Sequence, residues 1–184
     1  LMRDSHMTGV KYGVFDLERL LLLLRVSEDG SKVVVDSKGI LPVEKYLQSR
    51  YQMYRQVYFH KTVTAAEAML MAVLDRASEV ARKGGLPGLR EDTPLFQLLT
   101  GKQPDIPGFL ALDDAVLLSA MNEWSRCADP TLKDLSFSLL NRRLFKSIEI
   151  EGGEEQDMIF DTKVTQARDY MDSQGIDYRY YLRF

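Results

Sequence analysis

Arg50, Tyr54 and Tyr58 recur every four residues in the stretch RYQMYRQVYFHK, and Lys61 follows at a helical step. On a helix that spacing places a guanidinium, two phenols and an ammonium on or near one stripe. Arg and Lys pair with phosphate oxygens and aromatic faces stack on flat rings, so the stripe suits a ligand that carries both. Aromatic stripes at helical spacing are more often core, and on spacing alone a half-buried amphipathic helix with solvated charges is the default. The pattern predicts one long helix from about Pro42 to Lys83 around this stripe.

Other chemistry is bounded by what the chain lacks. It has two histidines, His6 and His60, one cysteine, Cys127, and no His-Asp dipeptide. No CxxC, P-loop, GxGxxG or GxSxG motif is present. A Cys127–His nucleophilic pair and a metal held by His6, His60 and Asp4 are formally open. A lone Cys is usually a small buried hydrophobe, and a lone His on a helix is usually a hydrogen-bonded structural residue.

The 184 residues carry a net charge of −3 and 45% hydrophobic content, enough for a real core. That charge gives no general attraction to nucleic acid or an anionic membrane, so any polyanion site must be a local basic patch. A single cysteine points to a reducing cytoplasm. Leu20–Leu24 is far too short to span a bilayer, and no signal-peptide pattern opens the chain. Leu1-Met2-Arg3-Asp4 reads like the middle of an element, which suggests a fragment.

The stripe must be positioned by the elements around it. Residues 1–14 read as a lead-in broken at Gly9 and Gly13. Asp16 caps a helix over Leu17–Leu24, whose five consecutive leucines predict burial on several sides. Leu24–Val26 and Lys32–Val35 flank Glu28-Asp29-Gly30, a hairpin signature. Ser37-Lys38-Gly39 leads into the long helix, and Gly84-Gly85 with Pro87-Gly88 ends it. Thr93-Pro94 opens a short helix to Leu99, and Gly101–Pro107 reads as a loop. Asp113–Cys127 is periodic and apolar, and Asp129-Pro130 starts a helix to about Arg143. Leu144–Ile150, Met158–Asp161 and Tyr178–Phe184 read as strands, Gly152–Asp157 as an acidic loop, and Lys163–Ser173 as a helix stopped by Gly175.

Three runs, Arg3-Asp4-Ser5-His6-Met7-Thr8-Gly9, Phe15-Asp16-Leu17-Glu18-Arg19-Leu20 and Arg50–Lys61, together resemble the second half of the HD-domain metal-dependent phosphohydrolases. The similarity is greatest to the dGTPase-type deoxynucleotide triphosphohydrolases, which include the SAM- and HD-domain enzyme and bacterial relatives. It spans about residues 1–83, continues loosely through Asp129-Pro130-Thr131-Leu132-Lys133-Asp134 and Asn141–Lys146, and fades after Ile150.

The resemblance implies a mainly α fold. Residues 1–84 would be the C-terminal part of an HD domain with a β-hairpin, and residues 85–184 a helical and small α/β lobe. It implies hydrolysis of deoxynucleoside triphosphates to deoxynucleoside and triphosphate at a divalent-metal site of His, His-Asp and Asp ligands. Those ligands would precede Leu1, so no catalytic or metal-ligating residue is expected in this chain and the chain alone should be inactive.

Carried over residue by residue, Asp4 accepts from the sugar 3′-hydroxyl, Arg50 binds phosphate and Tyr58 packs on the sugar. Tyr54 stands where the best-studied member of the family has a catalytic-site His; a phenol there can donate to phosphate. His60 and Lys61 match a pair that contacts an activating nucleotide's phosphates, and Asp16, Arg19 and Lys38 fall at that effector site. Asp36 replaces a basic effector contact and Leu23 an aromatic one, which weakens the effector assignment. Capping by Asp16, pairing of Arg19 and a solvated Lys38 would explain those three without a ligand. The partners expected are deoxynucleoside triphosphates, an activating nucleotide and further copies of the chain, with neither membrane nor nucleic acid. A non-catalytic nucleotide-sensing or oligomerisation module is the alternative.

Overall fold

Aspartates stand where the chain turns into helix. Asp16, Asp113 and Asp129 each accept a hydrogen bond from the backbone N–H three residues on, at 2.9, 2.9 and 2.8 Å. Each satisfies a donor that the first helical turn leaves orphaned. The computed structural model describes residues 1–148 and 156–183, and its contacts form two compact units, Leu1–Val63 and Thr64–Phe184. Among the described residues the fold is mainly helical with one small two-stranded antiparallel sheet. No helix among the described residues is long and apolar enough to cross a membrane.

The first unit opens with α1 (Met2–Thr8), where the sequence predicts only a broken lead-in. Gly9 ends it in the left-handed region at φ 75°, the usual glycine stop. Gly13 then passes so close to Leu1 and Ser5 that a Cβ would sit 2.8 Å from each. Next come α2 (Leu17–Leu22), β1 (Leu24–Val26), β2 (Val33–Val35), a 3₁₀ turn (Ser37–Gly39) and α3 (Ile40–Met53). The hairpin forms as its sequence signature predicts, pairing Leu24 with Val35 and Val26 with Val33. Asp29 fastens its turn by accepting from the Ser27 and Ser31 hydroxyls at 2.5 and 2.6 Å, which lowers its carboxyl to about 2. The edge-on contact of Phe15 with Tyr46, 5.1 Å between centroids, joins the loop before α2 to α3.

Two expectations fail in this unit. No residue of α2 is buried, and Leu21 and Leu22 are 55% and 73% exposed. Too few elements surround so short a helix to cover leucines on every side. The long helix is also broken. After α3 the chain makes a π-helical turn over Tyr54–Tyr58, with the Phe59 N–H bonding the Tyr54 carbonyl at 2.8 Å. His60 leaves the helix, its Nδ1 accepts from the Thr62 N–H at 3.3 Å, and α4 (Lys61–Arg82) starts afresh. A side chain that caps the next helix competes with continuation of the previous one.

The second unit is built on α4, whose Met69, Ala72, Val73, Ala77 and Ala81 are buried at helical spacing. They share a core with residues of α5 (Pro94–Leu99), α7 (Asp114–Trp124) and α8 (Pro130–Leu140). The short α6 (Ile106–Leu110) lies between α5 and α7, beginning inside the predicted Gly101–Pro107 loop. Trp124 is fully buried and donates its indole N–H to the Pro87 carbonyl at 3.1 Å. Cys127 is a half-buried free thiol beside this core.

The strands predicted near the C-terminus are not found among the described residues. Met158–Asp161 belongs to α9 (Gln156–Ser173), and Tyr178–Tyr181 forms a one-turn α10 capped by Asp177. Phe160, Val164, Ala167 and Met171 are half-buried at helical spacing, a period that a four-residue window does not reveal. Residues 144–148 are irregular, and no strand among the described residues lies beside them to complete a ladder. The rest of the Leu144–Ile150 prediction, most of the Gly152–Asp157 loop and Phe184 lie outside the described residues.

Candidate functional site

The residues predicted to bind substrate come together within the first unit. The Tyr58 hydroxyl, carried on the π turn, donates to Asp4 Oδ2 on α1 at 2.5 Å, across a sequence separation of 54 residues. The rings of Tyr54 and Tyr58 meet edge to face, 4.9 Å between centroids. Arg50, one turn earlier on α3, holds its guanidinium 5.1 Å from the Tyr54 ring centroid, a cation–π contact. Carboxylate, phenol, ring and guanidinium thus form one continuous chain of contacts.

Their electrostatics suit fixed roles. The Tyr58 hydrogen bond holds the Asp4 carboxyl below its ordinary value, so it is ionised and an acceptor at neutral pH. The same bond raises the Tyr58 phenol, which stays protonated and donates. Arg50 is raised chiefly by its hydrogen bond to the Tyr46 phenol, with Tyr54 adding a smaller effect. The cluster therefore offers an anionic acceptor at one end and an exposed cation at the other, with two aromatic rings between.

Tyr46 is a member that the sequence reading missed. It lies four residues before Arg50, so the interval that picked out Tyr54 and Tyr58 extends back one turn to it. The π turn has the opposite effect downstream. It interrupts the helical count, and the spacing argument that put Lys61 on the same stripe does not carry past Phe59. An extra residue per turn also re-aims side chains locally, and π turns are frequent at functional sites.

The five effector candidates are less coherent. Asp16 caps α2 by accepting from the backbone N–H of Arg19, and the Arg19 side chain is exposed. Lys38 is exposed on the 3₁₀ turn, which Asp36 caps through the Lys38 N–H at 3.0 Å. His60 caps the start of α4 and Lys61 is exposed on its first turn. His60 and Lys61 are neighbours in the chain, but among the described residues no hydrogen bond or ion pair joins the Asp16–Arg19 turn to Lys38. Among the described residues no three His, Cys, Asp or Glu side chains converge, so those residues do not fit a divalent-metal centre.

Comparison with known proteins bears on the stretch that holds most of this geometry. Residues 15–85 match the HD associated region. That span runs from the loop before α2 to the end of α4. It contains Arg50, Tyr54 and Tyr58 as well as the five effector candidates, while Asp4 lies before it. Over 182 residues the chain is 35% identical to YwfO of Bacillus subtilis strain 168, described as uncharacterized, covering 99% of this chain and 40% of that protein. It is 43% identical over 72 residues to MJ1154 of Methanocaldococcus jannaschii, covering 38% of this chain and 16% of that one. Among solved structures, a phosphohydrolase from Bacteroides thetaiotaomicron VPI-5482 is similar at a TM-score of 0.73 and 32% identity. The match covers 97% of this chain and 45% of the phosphohydrolase. The chain thus spans less than half the length of these relatives.

Proposed function

We propose that this chain is the substrate-orienting portion of an HD-type phosphohydrolase that cleaves deoxynucleoside triphosphates into deoxynucleoside and triphosphate. The observation that carries the reading is the Tyr58–Asp4 hydrogen bond at 2.5 Å, with Tyr54 and Arg50 continuing from it. The likeness to a phosphohydrolase supports the reaction class. Asp4 accepts from the sugar 3′-hydroxyl while Tyr58 packs on the ring face, a fit that a deoxyribose satisfies without a further polar partner. Arg50 pairs with phosphate and Tyr54 adds a phenol donor beside it. In the reaction, water oxygen bonds to the α-phosphorus, the bond from that phosphorus to O5′ breaks, and O5′ takes a proton. This chain's residues bind and orient the nucleotide for that step.

The effector assignment is part of the same proposal. His60 and Lys61, with Arg19 and Lys38, take the phosphates of an activating nucleotide, and Asp16 acts there by holding the α2 turn that carries Arg19. We place the protein in the cytoplasm, in keeping with its single free thiol.

The decisive measurement is hydrolysis of each deoxynucleoside triphosphate by the full-length protein with added divalent metal, the products separated by anion exchange. Triphosphate plus deoxynucleoside supports the reading, and pyrophosphate or orthophosphate overturns it. Saturable nucleotide binding without turnover would instead mark a nucleotide-sensing module. The 184-residue chain alone is expected to give no turnover above a protein-free control with Mn²⁺, Mg²⁺ or Zn²⁺. Activity that survives repurification would defeat that expectation.

Assembly is a further expectation. Leu22, Val26 and Val33 in the first unit are 73%, 67% and 73% exposed, and apolar surface of this kind promotes association. At micromolar concentration, light scattering should report a mass well above the 21.1 kDa of one chain. A monomer mass throughout a concentration series would count against it.

A further inference from the structure

A cavity of about 430 Å³ opens in the second unit, lined by the Thr64–Ala68 turn of α4, residues 145–148, α9 and the Tyr181–Arg183 segment. That volume lies within the range of small-molecule sites. Its walls are largely apolar, with Phe145, Ile148, Phe160, Val164, Ala167 and Leu182 among them. Among the described residues that line it, three are cations, Lys146, Lys163 and Arg183, and none is a carboxylate. None of these groups belongs to the nucleotide site proposed above.

Arg183 supplies a second, independent sign. Its Nη2 donates to Asp75 at 2.8 Å, which fixes the guanidinium. Its Nε is buried and has no hydrogen-bond partner among the described residues. A buried donor on a charged group costs free energy until an acceptor reaches it, and an anionic acceptor regains the most. The Tyr181 hydroxyl at the same wall spends its proton on Asp134 at 2.8 Å, so it is not a donor to a ligand in the cavity.

Wall chemistry narrows the ligand. A nucleotide would bring sugar hydroxyls and a multiply charged phosphate into a space whose uncharged polar side chains, among the described residues, are Thr64, Ser147 and Tyr181. Burying those groups without partners is costly. An aliphatic body with a single anionic head leaves nothing polar unpaired.

We propose that this cavity binds a medium-chain amphipathic carboxylate, its apolar body against the Phe160–Ala167 face of α9 and its head on Lys146, Lys163 and the Arg183 Nε–H. The test is calorimetric titration of the whole chain with decanoate below its micelle concentration, beside decanol and deoxyadenosine monophosphate. One saturable decanoate site is expected, with decanol at least about tenfold weaker and the nucleotide weaker still. Lys163→Met should weaken decanoate about tenfold, and Ala167→Trp, which fills the space, should abolish its binding. Thermal melts check that both variants fold. If Ala167→Trp does not fold, Lys146→Met takes its place, because that side chain sits on an exposed residue and its loss removes only a head contact. Equal affinity for decanol, tighter binding of the nucleotide, no saturable site, or wild-type affinity in the folded variants would each overturn the proposal.

Discussion

Replacing Arg50 with alanine in the full-length protein should lower the rate of deoxynucleoside triphosphate hydrolysis roughly 30- to 1000-fold at saturating substrate and activator. The expectation rests on the proposed reaction and on where Arg50 stands. Its guanidinium is exposed and lies 5.1 Å from the Tyr54 ring centroid, with the Tyr46 phenol favouring its charged form, so the ring orients it before a ligand arrives. An oriented cation stabilises developing phosphate charge without reorganising at the moment of reaction. Arg50→Lys should recover little, since an ammonium lacks the planar fork and stacks less well on Tyr54. Tyr46→Phe should cost less than Arg50→Ala and raise KM more than it lowers kcat, because it loosens the cation without removing it. Lys61→Ala separates the two proposed sites. It should shift the activator concentration needed and leave the maximal rate close to wild type. Substrate and activator titrations on each variant, with folding checked by thermal melt, decide the matter. Near-normal turnover by Arg50→Ala would mean that this face is structural.

Local grammar was the most legible part of this chain. Asp29-Gly30 between two valine-rich runs announced the hairpin, and Asp-Pro at 129–130 announced α8, because turn and cap chemistry act within a few residues. The four-residue interval linking Arg50, Tyr54 and Tyr58 also survived as real neighbours, although its partner Asp4 was reached through resemblance and not through spacing. What the sequence concealed depended on longer range. Nothing in Tyr54–Tyr58 signals a π turn, since the extra residue is set by what precedes and follows it, including a His60 that caps the next helix. The leucine run read as core because composition reports what could be buried, whereas burial needs elements to cover it. Met158–Asp161 read as a strand because four residues hold less than one and a quarter helical turns; only the continuation to Met171 fixes the period.

Stability of the second unit should depend on one guanidinium more than on any other polar group. Arg76 on α4 makes a bidentate contact with Asp129 at 3.0 and 2.6 Å, reaches Glu79 at 3.2 Å, and lies over the Tyr180 ring at 5.3 Å. Arg76 and Asp129 are 18% and 19% exposed, so the pair is mostly desolvated but not sealed from water. Asp129 also caps α8, so the same carboxylate ties α4 to the start of α8 while α10 packs over the guanidinium. Removing Arg76 strands a largely buried carboxylate and uncovers Tyr180. The full burial penalty is reduced by residual solvent access, and Arg76→Ala should destabilise by about 2–3 kcal/mol. Asp129→Asn is the informative companion, because asparagine caps as well as aspartate, while the charge and one of the two oxygens that accept from Arg76 are lost. Acid should reproduce part of the effect. Arg76 holds the Asp129 carboxyl below its ordinary value, and Glu79 and Asp177 are lowered chiefly by Tyr180 and Arg179. A carboxyl lowered in the folded state stabilises fully above its unfolded pKa, near 4, and loses that contribution as pH falls through the folded value. Unfolding should therefore become easier as the pH drops below about 4, and Asp129→Asn should flatten that slope. Trp124 is the chain's only tryptophan and is buried in this unit's core, so its fluorescence follows this transition alone. A denaturant midpoint unchanged by Arg76→Ala, or an acid slope that Asp129→Asn leaves intact, would show that apolar packing holds these helices without the ion pair.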